Sequence, residues 1–158
     1  MKKGTVAILS TMVGAIIGAA TTGTVTGKII DNKADKVDKF KGYYNMLNQW
    51  LLLKQEGKSL VDYFESNNYK TIAIYGMGEM GNRLYDELRD SNIEVRCGID
   101  KESSSVYSEL EVISIEDELP EVDAIIVSAV FAFNEISEKL GNIVDYPIIS
   151  LEDVVYVV

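Results

Sequence analysis

The chain has 158 residues, 47% of them hydrophobic, and a formal net charge of -10. With no histidine and a single cysteine, Cys97, it excludes a Ser-His-Asp or Cys-His catalytic arrangement within the chain, a Cys/His zinc site and an internal disulfide. Charge is uneven: residues 1–69 hold 9 Lys and 6 acidic residues, while residues 70–158 hold 6 basic and 19 acidic ones, too few cations to neutralise phosphates in number, which argues against a nucleic-acid partner.

The N-terminal stretch carries no charge between Lys3 and Lys28. That length predicts a membrane-spanning helix over residues 5–27, within an anchor comprising residues 1–30. The strongly apolar part, about Val6 to Ala20, is short enough that a cleaved signal peptide, with Gly18-Ala19-Ala20 as its cleavage site, is the main rival reading, and a soluble or interfacial segment is the third. Lys28, Lys33, Lys36, Lys39 and Lys41 follow the span, against Lys2 and Lys3 before it. The positive-inside bias therefore predicts a single-pass protein of the cell membrane with a cytoplasmic C-terminal domain. Gly14 and Gly18 form a GxxxG pattern suited to close helix approach.

Residues 31–69 read as a helical stalk. Val37, Phe40, Tyr44, Leu47 and Leu51 recur at alternating spacings of three and four, a heptad-like stripe. Two readings follow: an amphipathic helix resting this stripe on the globular domain, or homodimerisation through anchor and stalk. Gly57 stops that helix, and Ser59-Leu60-Val61-Asp62 opens a short second one in the manner of a capping box.

Residues 70–158 carry the alternation of strands and helices expected of an α/β domain. Thr71–Tyr75 is a short apolar run, as in a parallel strand buried on both faces. Gly76-Met77-Gly78-Glu79-Met80-Gly81 follows at once. In such a turn the first glycine permits the bend, the second lets backbone approach a pyrophosphate, and the third lets helix pack close to strand. Gly81, Leu84, Tyr85 and Leu88 share one helix face, and the helix N-terminus would face a bound phosphate. A second strand, Ile93–Ile99, alternates strictly, so that one of its faces is open for the stalk or a partner. It ends at Asp100, 19 residues after Gly81, where a ribose-binding carboxylate is expected. Such an acid favours NAD over NADP, although neighbouring Lys101 blurs the distinction. Glu79 sets a charge at the helix mouth, either against a phosphate or turned outward to complement the helix dipole.

The stretches YKTIAIYGMGEMGNRLYDELRDSNIEVRCGIDK, VDAIIVSAVFAFNEISEKL and YPIISLEDV together resemble NAD(P)-binding Rossmann-like domains. They are similar to the small nucleotide-binding domains of bacterial surface-polysaccharide biosynthesis proteins and to the C-terminal half of sugar C-methyltransferases. The resemblance spans Tyr69 to about Val154 and implies a nucleotide, nucleotide sugar or related cofactor at Gly76, Gly78, Gly81 and Asp100. No counterpart of a methyltransferase's catalytic half is present.

The remaining elements are a third strand at Leu110–Ile113, a helical turn at Ser114–Asp117 and a fourth strand at Asp123–Val130. A helix with Phe133, Ile136, Leu140 and Ile143 on its buried side follows, then a fifth strand at Pro147–Ile149 and a short helix capped by Ser150. The expected fold is a Rossmann-like five-stranded parallel sheet of order 3-2-1-4-5, with ligands at the carboxyl ends where the order reverses. Met77, Asp100, Ser128, Ala129 and Val130 would line that crevice. The candidate cofactor-binding set is Gly76, Met77, Gly78, Glu79, Met80, Gly81, Asp100, Lys101, Ser128 and Ala129, with no metal and no catalytic residue. An oxidoreductase would need a substrate region and a proton donor, yet only 58 residues follow Asp100 and no Tyr-x-x-x-Lys pair occurs. Tyr75 and Cys97 read as packing residues. The sequence thus points to a membrane-tethered module binding NAD or a nucleotide sugar, as sensor or accessory subunit. The alternatives are an interaction scaffold with a vestigial turn and a small NAD-dependent enzyme subunit.

Overall fold

The computed structural model describes residues 35–101 and 109–158. The anchor expected over residues 5–27, its orientation and the GxxxG pattern lie outside the described residues; among those described, no helix is long and apolar enough to cross a membrane. By internal packing the chain divides into one unit ending at Tyr44 and another comprising Asn45–Val158.

Helix α1 covers residues 35–55 and α2 covers Val61–Ser66. Strand β1 (Thr71–Tyr75), α3 (Glu79–Leu88), β2 (Glu94–Ile99), β3 (Val112–Ile113) and β4 (Ala124–Val127) follow. A 3-10 turn at Val130–Ala132, α4 (Phe133–Gly141), β5 (Ile148–Ser150) and α5 (Leu151–Val157) complete the domain. All strand pairs are parallel, in the order β3-β2-β1-β4-β5. The expected α/β architecture and strand order are therefore present. Right-handed crossovers send α3 to one face of the sheet and α4 to the other, because the chain moves outward from β1 in opposite directions.

On the α4 face, Ala73, Tyr75, Cys97, Ile99, Ile125, Val127, Ile136 and Leu140 form one buried cluster. Burial pushes the Cys97 thiol up to about 11, as suits a core residue rather than a nucleophile. At the amino edge, Lys70 N and Thr71 N each donate to Asp123 Oδ2 at 2.8 Å. These bonds tie the start of β1 to the start of β4 and hold the Asp123 carboxyl below its ordinary value.

Four local expectations are corrected. Strand β4 ends at Val127 rather than Val130, since the chain turns into the 3-10 segment beside the glycine loop. Helix α4 stops at Gly141, leaving Ile143 outside it and 51% exposed. The alternation of β2 does not put one face outward. The register slips by one residue at Arg96, pairing Ile72 with Val95 but Ala73 with Cys97. A bulge of this kind moves every later side chain to the opposite face, so Val95 follows Ile72 while Cys97 and Ile99 join the α4-side cluster.

The fourth correction concerns α1. The predicted stripe is exposed, at 74% for Phe40 and 61% for Tyr44, with Val37, Leu47 and Leu51 also outward. Met46, Trp50 and Leu53, spaced four and three apart, are the buried residues instead. A polar latch selects them. Trp50 Nε1 donates to Glu87 Oε2 at 2.6 Å, and Lys54 Nζ lies 2.5 Å from Glu87 Oε1. Ser59 Oγ and Leu60 N donate to the same Oε1, at 2.9 and 2.8 Å. A buried indole needs a partner for its N–H, and the last turn of α3 supplies it. The expected capping pair is present: Ser59 N donates to Asp62 Oδ2 and Val61 N to Ser59 Oγ, at 3.3 and 3.2 Å.

Candidate functional site

The carboxyl edge of the sheet is organised around the bend between β1 and α3. Gly76 has φ of +91°, a left-handed conformation that favours glycine. Gly76 N donates to Ile99 O at 2.8 Å, and Ser128 N donates to Tyr75 O at 2.9 Å, so the bend is held to both neighbouring strands. The buried Ser128 hydroxyl donates to Gly76 O in a short hydrogen bond.

Asp100, at the end of β2, is half-buried and its Oδ2 accepts from Met77 N at 3.0 Å. In the free protein this carboxylate clamps the turn. Asn82, one residue after the third glycine, reaches back so that its side-chain amide donates to Met77 O and Gly78 O, both at 3.1 Å. The Met77 side chain is 2% exposed and lies on Gly98, where a Cβ would meet Met77 Cγ at 2.5 Å. Met77 thus helps build the floor of the bend.

The three glycines of the motif do different work. A Cβ on Gly81 would sit 2.2 Å from Gly76 O, a distance no packed atoms tolerate. A Cβ on Gly76 would meet Ser128 Oγ at 2.9 Å and Ala129 Cβ at 3.5 Å. A Cβ on Gly78 would meet nothing within 4 Å, and its φ of -79° is open to any residue. Gly78 is exposed and precedes a ten-residue helix that begins without a side-chain cap, so the first-turn amides have no partner from that source.

Around this opening, Glu79 is exposed, Met80 half-buried and Ala129 half-buried. Lys101 Nζ lies 3.9 Å from Glu135 Oε1 on the first turn of α4, in an exposed pair. Gly76, Met77, Gly81, Asp100, Ser128 and Ala129 are thus brought together at the bend, with Gly78, Glu79 and Met80 at its outer side. Val130, expected in the crevice as part of a strand, instead opens the 3-10 turn. Sequence reasoning missed Asn82 and Gly98. The first follows the last glycine directly, and a glycine inside a strand marks close approach by another group; both signals were present.

Residues 67–149, more than half of the chain, match the family described as C2185-like, N-terminal. The chain belongs to that family. The matched segment of this C2185-like chain begins just before β1 and ends within β5, so it includes the glycine bend, Asp100 and Ser128. No curated protein and no solved structure matches the chain.

Proposed function

We propose that this C2185-like chain is a membrane-tethered nucleotide-binding module for NAD or a nucleotide sugar. It acts as a sensor or accessory subunit, with surface-polysaccharide assembly as its setting. The observation that carries the binding part is the contrast among the glycines. Gly76 and Gly81 are required by the fold, whereas nothing in the described protein requires Gly78 to be glycine. A backbone left bare at the mouth of a helix suits close approach by a phosphate. Asp100, Asn82 and Ser128 hold that backbone in advance, so little ordering remains to be done when a ligand arrives. An acid at the end of the second strand, as Asp100 is, suits recognition of ribose hydroxyls.

Calorimetric titration of the full chain in detergent micelles with NAD, NADP, a UDP-sugar and coenzyme A tests this. Saturable binding of NAD or the UDP-sugar is expected, with Gly78→Val weakening it by roughly two orders of magnitude through steric exclusion. Asp100→Ala is the poorer probe, since it also releases the Met77 amide. Unchanged affinity in Gly78→Val would remove the phosphate site, and no binding by the folded protein would leave an interaction scaffold.

The exposed stripe on α1 supports a second element of the proposal, pairing with a second copy. Five apolar side chains at heptad-like spacing form a seam for a like helix, and an anchor on the preceding residues would hold two such helices parallel and concentrated. The double variant Phe40→Ser, Leu47→Ser is expected to sediment as a monomer where the parent is a dimer. A parent that is already monomeric at micromolar concentration rules the pairing out.

A further inference from the structure

Tyr75 closes β1, one residue before Gly76. Its ring is packed in the α4-side cluster and only 4% exposed. Its hydroxyl is fully buried and, among the described residues, has no hydrogen-bond partner. Folding does not explain that oxygen. Phenylalanine would fill the same space, and a buried hydroxyl without a partner destabilises the state that buries it.

Strand pairing locates it: Tyr75 lies beside Ile99, the last residue of β2, and Val127, the last residue of β4. Burial raises the hydroxyl's pKa first, and the carboxylates of Asp100 and Glu135 add to the effect. Asp100 is the clamp of the glycine bend, and Glu135 stands on the first turn of α4. Tyr75 therefore stands at the carboxyl edge of the sheet, where β2 and β4 both stop. The cation bridging the end of β2 and α4 is Lys101, paired with Glu135 at 3.9 Å with both side chains more than half exposed. Such a pair contributes little and parts easily, so a ligand entering there displaces no strong interaction.

We infer that the Tyr75 hydroxyl is a ligand-binding group, which hydrogen-bonds an uncharged polar group of the nucleotide held at the glycine bend. The ligand group is uncharged because a phosphate or carboxylate at that point would face Asp100 and Glu135. A ribose hydroxyl and a carboxamide share the needed chemistry. The inference rests on the nucleotide reading above, and it makes Tyr75 a position where stability is given up for recognition.

The test is Tyr75→Phe in the full chain, with thermal melting and titration by NAD, by ADP-ribose and by a UDP-sugar. The melting temperature is expected to hold or rise by a few degrees, while NAD affinity falls about tenfold, the loss of one hydrogen bond. An equal fall for ADP-ribose places the bond on the part the two ligands share; a fall for NAD alone places it on the carboxamide. NAD binding within about twofold of the parent protein overturns the inference while leaving the nucleotide reading intact. A lowered melting temperature also overturns it, by showing that the hydroxyl has a structural partner. Failure of the parent protein to bind NAD, ADP-ribose or a UDP-sugar overturns both readings together.

Discussion

Gly81→Ala is expected to destabilise the domain by about 3 kcal/mol, while Gly78→Ala three residues earlier costs about 1 kcal/mol or less. The two substitutions add the same methyl group to the same motif. At Gly81 it would be driven to 2.2 Å from Gly76 O, and backbone on both sides must move to relieve it. Alanine's better helix propensity recovers only about 1 kcal/mol of that. At Gly78 the methyl enters open space, so the cost is that of a less suitable N-cap. Urea denaturation of the two variants beside the parent measures both values. Equal destabilisation would show that the bend is not built as described, and the assignment of Gly78 to a ligand would lose its basis.

The second large effect is expected at Glu87. Its side chain is 7% exposed, and it accepts from Trp50, Ser59 and Leu60 besides pairing with Lys54. Glu87→Ala leaves the indole and Leu60 N–H groups without their acceptor, a loss of about 3 kcal/mol. Because the latch joins α1 to the last turn of α3, the variant is expected to release the segment around Met46, Trp50 and Leu53 first. Trp50 is the chain's single tryptophan, so its fluorescence reads that release directly, against the urea transition of the whole domain. Fluorescence that tracks the global transition without an earlier step would refute the latch.

The same carboxylate gives the pH dependence its sign. Burial pushes the Glu87 carboxyl up, but Lys54, the Leu60 amide, Trp50 and Ser59 outweigh it and leave it below the ordinary value of 4.5. A carboxyl lowered by folding contributes stability that is fully present above its unfolded value and lost as pH falls through the folded one. Asp123, also lowered, behaves alike from an ordinary value of 3.8. Acid should therefore weaken the domain below about pH 4.5, and Glu87→Gln should flatten that decline in a melting series across pH 3 to 7.

Local signals were sufficient where an element's environment is uniform. Thr71–Tyr75 reads as a doubly covered strand because every residue but the first is buried, and Ser150 reads as a cap because its Oγ accepts from Glu152 N within two residues. They failed where two patterns competed for one element. Helix α1 offers two apolar stripes, and hydrophobicity favours the one the structure leaves outward. What turned the helix the other way is a hydrogen bond from Trp50 to a carboxylate 37 residues distant, which no local window contains. Strand β2 failed in a related way: its alternation is real, but the slip at Arg96 depends on how β1 pairs with it.

The sequence by itself determined the strand order, the place of the glycine bend and the acid across from it, because short apolar runs, glycine spacing and crossover handedness leave few alternatives. Only the tertiary structure decided what those residues do for one another. It turned Asp100 onto the Met77 amide, laid Met77 on Gly98 and left the Tyr75 hydroxyl without a partner. Each of these is a contact between segments more than twenty residues apart or the lack of one, and such relations exist only once the sheet has formed.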